Sequence, residues 1–166
     1  MKIFLIGLSG AGKTTLGKLL ADELHVPFVD MDWEIEKMEN KSVGEIFSHE
    51  GEDHFRRLES EVLRDWAGAQ QDFVMGTGGG APCFHNGMEV INQSGLSIFL
   101  DVPVDELMLR LASATDRPLL NAGDERDRQN KMNALRAARL PIYTKAHIIV
   151  ENPSLEKLLS ALRLKM

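Results

Sequence analysis

Short apolar runs alternate along this chain with longer stretches in which apolar residues return every three or four positions. Five runs have the length of buried strands: residues 3–6, 27–29, 73–75, 96–100 and 147–150. Between them the spacing predicts helices. One covers residues 13–24, where Leu16, Leu19 and Leu20 keep helical spacing. A second helical region begins near Trp33. Over residues 53–67, Phe55, Leu58, Val62 and Trp66 share one face of an amphipathic helix. Pro103 suits the first turn of a helix whose Val104, Leu107, Met108 and Leu111 turn inward. A highly charged helix is expected over residues 125–139. Asn152-Pro153 reads as the cap and first turn of a last helix. Strands alternating with helices in this way predict an α/β fold built on a parallel sheet. No repeat, low-complexity tract or linker divides the chain, so one domain over residues 1–166 is expected.

One stretch breaks the pattern. Residues 113–124 are polar, contain Pro118 and Gly123, and carry Arg117 in mid-loop. Such a segment is either an ordinary surface loop or a lid that excludes water from a phosphate site.

Composition narrows the function classes. Hydrophobic residues make up 43% of the 166 and charged residues 27%, which fits a soluble globular domain. A net charge of −6 argues against a general nucleic-acid or anionic-membrane binder, so anionic ligands must be held by local groups. The single cysteine, Cys83, permits no internal disulfide, and a small buried filler is its expected role. The first seven residues do not read as a signal peptide and no run approaches a membrane span, so a cytoplasmic location is expected. The five histidines lack metal-ligand spacing and read as structural.

The first apolar run leads directly into Gly7-Leu8-Ser9-Gly10-Ala11-Gly12-Lys13-Thr14, a complete G-x-x-x-x-G-K-[ST] loop between a strand and a helix. Glycines let the backbone curl until successive N–H groups face a phosphate, and the following helix adds its partial positive charge. Lys13 places an ammonium on the outer phosphates, and the Thr14 hydroxyl suits Mg2+. Gly10, Ala11, Gly12, Lys13, Thr14 and Thr15 are therefore expected to hold the phosphates of a nucleoside triphosphate, which the resemblance given below makes ATP.

Three more features accompany the loop. Asp30 and Asp32 follow the second strand, where its alternation would set them on one side. They are either solvated acids and helix caps, or one serves Mg2+ and the other a substrate hydroxyl. Gly78-Gly79-Gly80 follows the third strand and implies a close backbone approach to a ligand or another segment. Arginines collect at element ends: Arg56, Arg57, Arg110, Arg117, Arg136 and Arg139. A guanidinium fork matches carboxylate and phosphate oxygens, although most arginines are surface charges. Asp101 ends the fourth strand like a Walker B acid, yet could equally cap the next helix.

Taken together these residues resemble the shikimate kinase family, from Lys2 to about Val150. The carriers are Gly7 to Thr14, Asp30-Met31-Asp32, Gly51-Glu52-Asp53-His54-Phe55-Arg56-Arg57-Leu58-Glu59, Thr77-Gly78-Gly79-Gly80, Arg117-Pro118-Leu119-Leu120 and Arg139-Leu140-Pro141-Ile142-Tyr143. The resemblance implies a three-layer P-loop kinase fold of the nucleoside monophosphate kinase type. Its central five-stranded parallel sheet is flanked by helices, with a lid at about 113–124 and a substrate-binding helical region at about 33–61. It implies phosphorylation of the 3-hydroxyl of shikimate by ATP with one Mg2+. Asp32 would hold the reacting hydroxyl. Arg56 and Arg139 would bind the substrate carboxylate beside Gly78, Gly79 and Gly80. Thr14 and Asp30 would serve the metal, Lys13 and Arg117 the transferring group, and Arg110 the adenine or ribose. A monomer binding only small molecules is expected. The chain departs from the family after its last strand. Glu151 and Asn152 stand in place of the family's Asp-Thr pair, and the adenine loop ending at Pro153 is shorter.

Overall fold

The computed structural model describes residues 1–112 and 124–166. Its chain order is β1 (Lys2–Ile6), α1 (Lys13–Leu24), β2 (Phe28–Asp30), α2 (Met31–Glu39), α3 (Val43–Glu50), α4 (Glu52–Gly68) and β3 (Phe73–Gly76). There follow a 3-10 turn (Ala81–Cys83), α5 (Gly87–Ser94), β4 (Leu96–Asp101), α6 (Val104–Leu111), α7 (Glu125–Tyr143), β5 (Ile148–Glu151) and α8 (Leu155–Lys165). All five expected strands are present, each within a residue or two of its expected bounds. They form one parallel sheet in the order β2-β3-β1-β4-β5.

The apolar runs are continuous because the sheet is covered on both faces. Ile3, Phe4, Leu5 and Ile6 are all buried. Alternation sends Phe4 to one face, where it meets the edge of Phe73, which in turn meets Trp66 of α4 at 5.3 Å. Leu5 faces the other layer, against Gly17 of α1 and the Phe28 ring. Strand order decides where a ligand goes. The chain leaves β1 toward β2 on one side and leaves β3 toward β4 on the other. The crevice of the sheet therefore opens between the carboxyl ends of β1 and β3. The phosphate loop and the glycine triplet are the segments that end there.

Several expected boundaries move for local reasons. β2 stops at Asp30, and α2 begins at once with Met31, so Asp32 lies in a first helical turn and not on a strand. Asp30 caps that helix by accepting from the Trp33 N–H at 3.2 Å. The strand-alternation reading of the two acids is thus replaced by cap-and-first-turn geometry. Helix α7 does not end at residue 139 but carries through Pro141 to Tyr143. The cap of the last helix is Ser154, which accepts from Lys157 N–H, and not Asn152, which takes a left-handed φ of 47°. Pro103 stands just before α6 and not in its first turn. The expected lid falls almost wholly on residues 113–123, outside the described residues; Asp124 caps α7.

Gly95, between α5 and β4, tests the packing at the start of the sheet. Its φ of −171° is ordinary extended backbone, but an added Cβ would meet the Lys2 carbonyl and sit 2.8 Å from the Lys2 Cβ. Overpacking costs roughly 1–3 kcal/mol, more than the roughly 0.4–1 kcal/mol gained from a stiffer unfolded chain. Gly95→Ala should therefore lower Tm by roughly 2–8 °C in a thermal melt. An unchanged or raised Tm would show that this edge has room.

Candidate active site

The loop Gly7–Thr14 curls as its sequence requires. Gly7, Gly10 and Gly12 have φ of 150°, 86° and 98°. Gly12 caps α1 without a side chain, and no acid occupies the first turn of the helix. The opening N–H groups of α1 are thus left for an anion. Lys13 folds over the loop and donates to the carbonyls of Gly7 at 2.6 Å and Leu8 at 3.1 Å. Arg110 of α6 donates to the Gly10 carbonyl at 2.8 Å and pairs with Glu106. In this structure Arg110 braces the phosphate loop. Across the mouth the Thr14 hydroxyl donates to Asp30 Oδ2 at 3.2 Å. Asp30 therefore does two things: it caps α2 and meets Thr14. A hydroxyl and a carboxylate side by side are the hard oxygen donors that Mg2+ prefers.

The second wall lies across a cavity of about 720 Å³, which reaches from Lys13 and Thr14 past Asp32 to Arg56 and Arg139. Arg56 and Arg139 are both buried, an unusual position for arginine. Arg56 Nη1 donates to Glu59 Oε1 at 3.0 Å, and Nη2 to Glu52 Oε1 at 3.2 Å. Its guanidinium also lies 4.3 Å from the centre of the Phe84 ring. The glycine triplet makes these approaches possible. A Cβ on Gly80 would strike the Arg56 guanidinium, and one on Gly78 would strike Glu59 Oε2 and sit 3.2 Å from Asp32 Oδ1. One on Gly79 would sit 3.0 Å from Arg139 Nη1. Two guanidiniums thus approach Gly79 and Gly80, while Asp32 of α2 approaches the adjacent Gly78.

Glu59 is a site residue that no sequence-based role anticipated. It is 2% exposed, and among the described residues its Oε2 has no hydrogen-bond partner. Burial pushes its carboxyl up to about 7, against the opposing pull of Arg56. Its signal was present: Glu59 falls on the apolar stripe of α4, four residues after Phe55, where a charge is out of place. Nothing in the sequence pointed to Phe84.

The remaining expectations divide. Lys13, Thr14, Asp30, Asp32, Arg56, Gly78, Gly79, Gly80, Arg110 and Arg139 line one cavity together with Gly10, Gly12 and Thr15. Ala11 is buried beneath the loop, its N–H bonded to the Leu8 carbonyl. Arg117 lies outside the described residues. Asp101 neither lines the cavity nor caps α6, and its carboxylate accepts from Arg136 at 2.9 Å. Arg57 is exposed. Cys83 is half-buried near Arg139 and Arg56, and burial raises its thiol. His147 accepts from the Ser97 N–H through Nδ1 at 3.2 Å, a structural role. His54 does join Glu39 and Glu50 in one cluster, but Lys41 reaches Glu50 at 3.2 Å and supplies positive charge there.

A Walker-type loop at the switch point of a parallel sheet, facing an anion site across one cavity, defines a P-loop phosphotransferase. The shikimate kinase family model matches residues 9–162. A shikimate kinase of Bacteroides fragilis is 46% identical over 150 residues, covering 90% of this chain and 83% of its own length. The crystal structure of the Bacteroides thetaiotaomicron shikimate kinase superposes with a TM-score of 0.88 at 40% identity, covering 99% of this chain and 96% of that one. That of the Acinetobacter baumannii shikimate kinase, solved with shikimate bound, gives 0.89 at 34% identity, covering 99% and 90%. The chain belongs to the shikimate kinase family.

The raised carboxyl of Glu59 has a measurable sign. A carboxyl whose folded value lies above the ordinary 4.5 favours the fold at low pH, and that contribution fades as pH climbs from about 4.5 to about 7. Glu59→Gln, which cannot ionise, should thus gain stability relative to the parent protein as melts move from pH 5 to pH 8. A Tm difference independent of pH would contradict the buried, proton-holding Glu59.

Proposed function

We propose that the chain transfers the terminal phosphoryl group of ATP to the 3-hydroxyl of shikimate, giving shikimate 3-phosphate and ADP. The observation that carries this reading is the pair of buried guanidiniums, Arg56 and Arg139, at the far end of the phosphate-loop cavity. A small carboxylated polyol needs a charge-assisted clamp at its carboxylate and an acceptor at its reacting hydroxyl. Arg56 and Arg139 form the clamp, with the N–H edge of the glycine loop beside them. Asp32 accepts the hydrogen bond of the hydroxyl and holds its proton as the oxygen attacks. The N–H groups at the start of α1 hold the nucleotide phosphates.

Phosphoryl transfer asks little covalent chemistry of the protein. It depends on alignment and on cations around the transferring oxygens. Lys13 and Arg117 supply two of these cations. Mg2+ would be held by Thr14, with Asp30 beside it, and would neutralise charge on the outer phosphates. Lys13 must exchange its present carbonyl partners for phosphate oxygens when nucleotide arrives. Arg110 both braces the loop and stands at the nucleotide end of the cavity, with Pro153 near the base. The enzyme works as a cytoplasmic monomer, and among the described residues no helix is long and apolar enough to cross a membrane.

A coupled assay with ATP and Mg2+ should show ADP release with shikimate but not with gluconate or AMP. Equal turnover on gluconate would overturn the substrate assignment. Asp32→Asn should lower kcat by on the order of 100-fold or more while ATP binding survives; near-normal turnover would remove Asp32 from the reacting hydroxyl. Arg139→Ala should raise the shikimate KM by on the order of 100-fold through loss of a charge-assisted contact. An unchanged KM would take Arg139 out of the clamp.

A further inference from the structure

Each carbonyl of the glycine triplet is bonded to the protein. Ala81 N–H donates to Gly78 at 3.1 Å, and Cys83 N–H to Gly80 at 2.9 Å. The middle carbonyl, Gly79, is bonded by the phenol of Tyr143. A peptide unit is planar and trans, so the N–H of Gly80 points away from the carbonyl of Gly79. Whatever fixes that carbonyl also aims that N–H.

Tyr143 comes from the last turn of α7, four residues after Arg139 and so on the same helix face. Its side chain is fully buried, with its ring 5.1 Å from that of Phe99. Burial, above all, pushes its ionisation well above the ordinary tyrosine range, so it remains an O–H donor across physiological pH. Arg139 reaches the same spot. The point where a Gly79 Cβ would lie is 3.0 Å from Arg139 Nη1 and 3.8 Å from Tyr143 Oη. A phenol that gives its proton to a carbonyl keeps lone pairs for a neighbouring N–H donor. The phenol thus gives its proton to the Gly79 carbonyl and accepts a hydrogen bond from Arg139, tying the guanidinium to the glycine backbone.

We propose that Tyr143 is a positioning residue for the substrate carboxylate. Its hydroxyl holds the Gly79–Gly80 peptide and the Arg139 guanidinium in one register, so that the Gly80 N–H and the guanidinium face the same anion. Tyr143 does not touch substrate in this arrangement. It acts through two groups that do, and the proposal rests on the shikimate reading above.

Tyr143→Phe removes the hydroxyl and leaves the ring contacts in place. In steady-state assays it should raise the shikimate KM by on the order of tenfold, as expected for one buried hydrogen bond. kcat and the ATP KM should stay within about twofold. The penalty should shrink for the primary amide of shikimate, which lacks the carboxylate charge. Phe99→Leu is the packing control: it disturbs the same ring without touching the hydroxyl, and should lower Tm while leaving the shikimate KM unchanged. A shikimate KM unmoved in Tyr143→Phe would overturn the proposal. So would an equal rise in the ATP KM, or the same KM shift in Phe99→Leu. Failure of the parent protein to phosphorylate shikimate would instead remove the substrate reading, and the proposal with it.

Discussion

Three consecutive residues without side chains, Gly78 to Gly80, set the geometry of the whole site. Each lies where a Cβ would collide with, or crowd, a charged group: Glu59, Arg139 and Arg56 in turn. The triplet follows β3, next to the phosphate loop that follows β1. Two backbone segments meet at the crevice of the sheet, one shaped to receive phosphate and the other to let guanidiniums come close. The glycines give up conformational freedom on folding. What they make possible is a contact distance that no other residue allows.

The charges around this backbone explain why an anion belongs there. Burying an ion costs several kcal/mol unless it is paired and hydrogen-bonded. Arg56 meets that condition through Glu59 and Glu52, with Phe84 stacked on its face. Arg139 is buried as well, and shares Glu59 as the nearest fully buried acid. Two guanidiniums thus share one buried carboxylate that itself resists ionising. In the proposed reading a substrate carboxylate would lie against these two guanidiniums. The chain as a whole carries a net charge of −6, so any attraction for an anion has to come from local groups such as these.

The sheet and the phosphate loop were legible because their signals are local. Apolar runs bounded by glycine and polar residues have few alternatives, and a loop motif between strand and helix has almost none. Boundaries were less legible where one residue serves two structures. Asp30 ends a strand, caps a helix and meets Thr14, so strand alternation misplaced Asp32 relative to it. The continuation of α7 through Pro141 was hidden because proline usually ends a helix, yet it is this continuation that brings Tyr143 under Gly79. By residue pattern alone Arg56 and Arg139 were candidates among six arginines, and only the family resemblance singled them out. Their burial depends on partners at Glu59 and Phe84 whose approach is tertiary. Glu59 itself left a trace, a charge on an apolar helical stripe, while Tyr143 stood out only as the end of a family-like segment, with nothing to direct its phenol to Gly79.

The proposed phosphoryl transfer depends on the direction in which an anionic substrate lies across the cavity. A crystal structure of the protein with shikimate and ADP tests it most directly. The carboxylate is expected between Arg56 and Arg139, within hydrogen-bond distance of both and of the glycine-loop N–H groups, with a ring hydroxyl on Asp32. A carboxylate bound instead at the phosphate loop, with the two arginines still closed on Glu59 and Gly79, would contradict it.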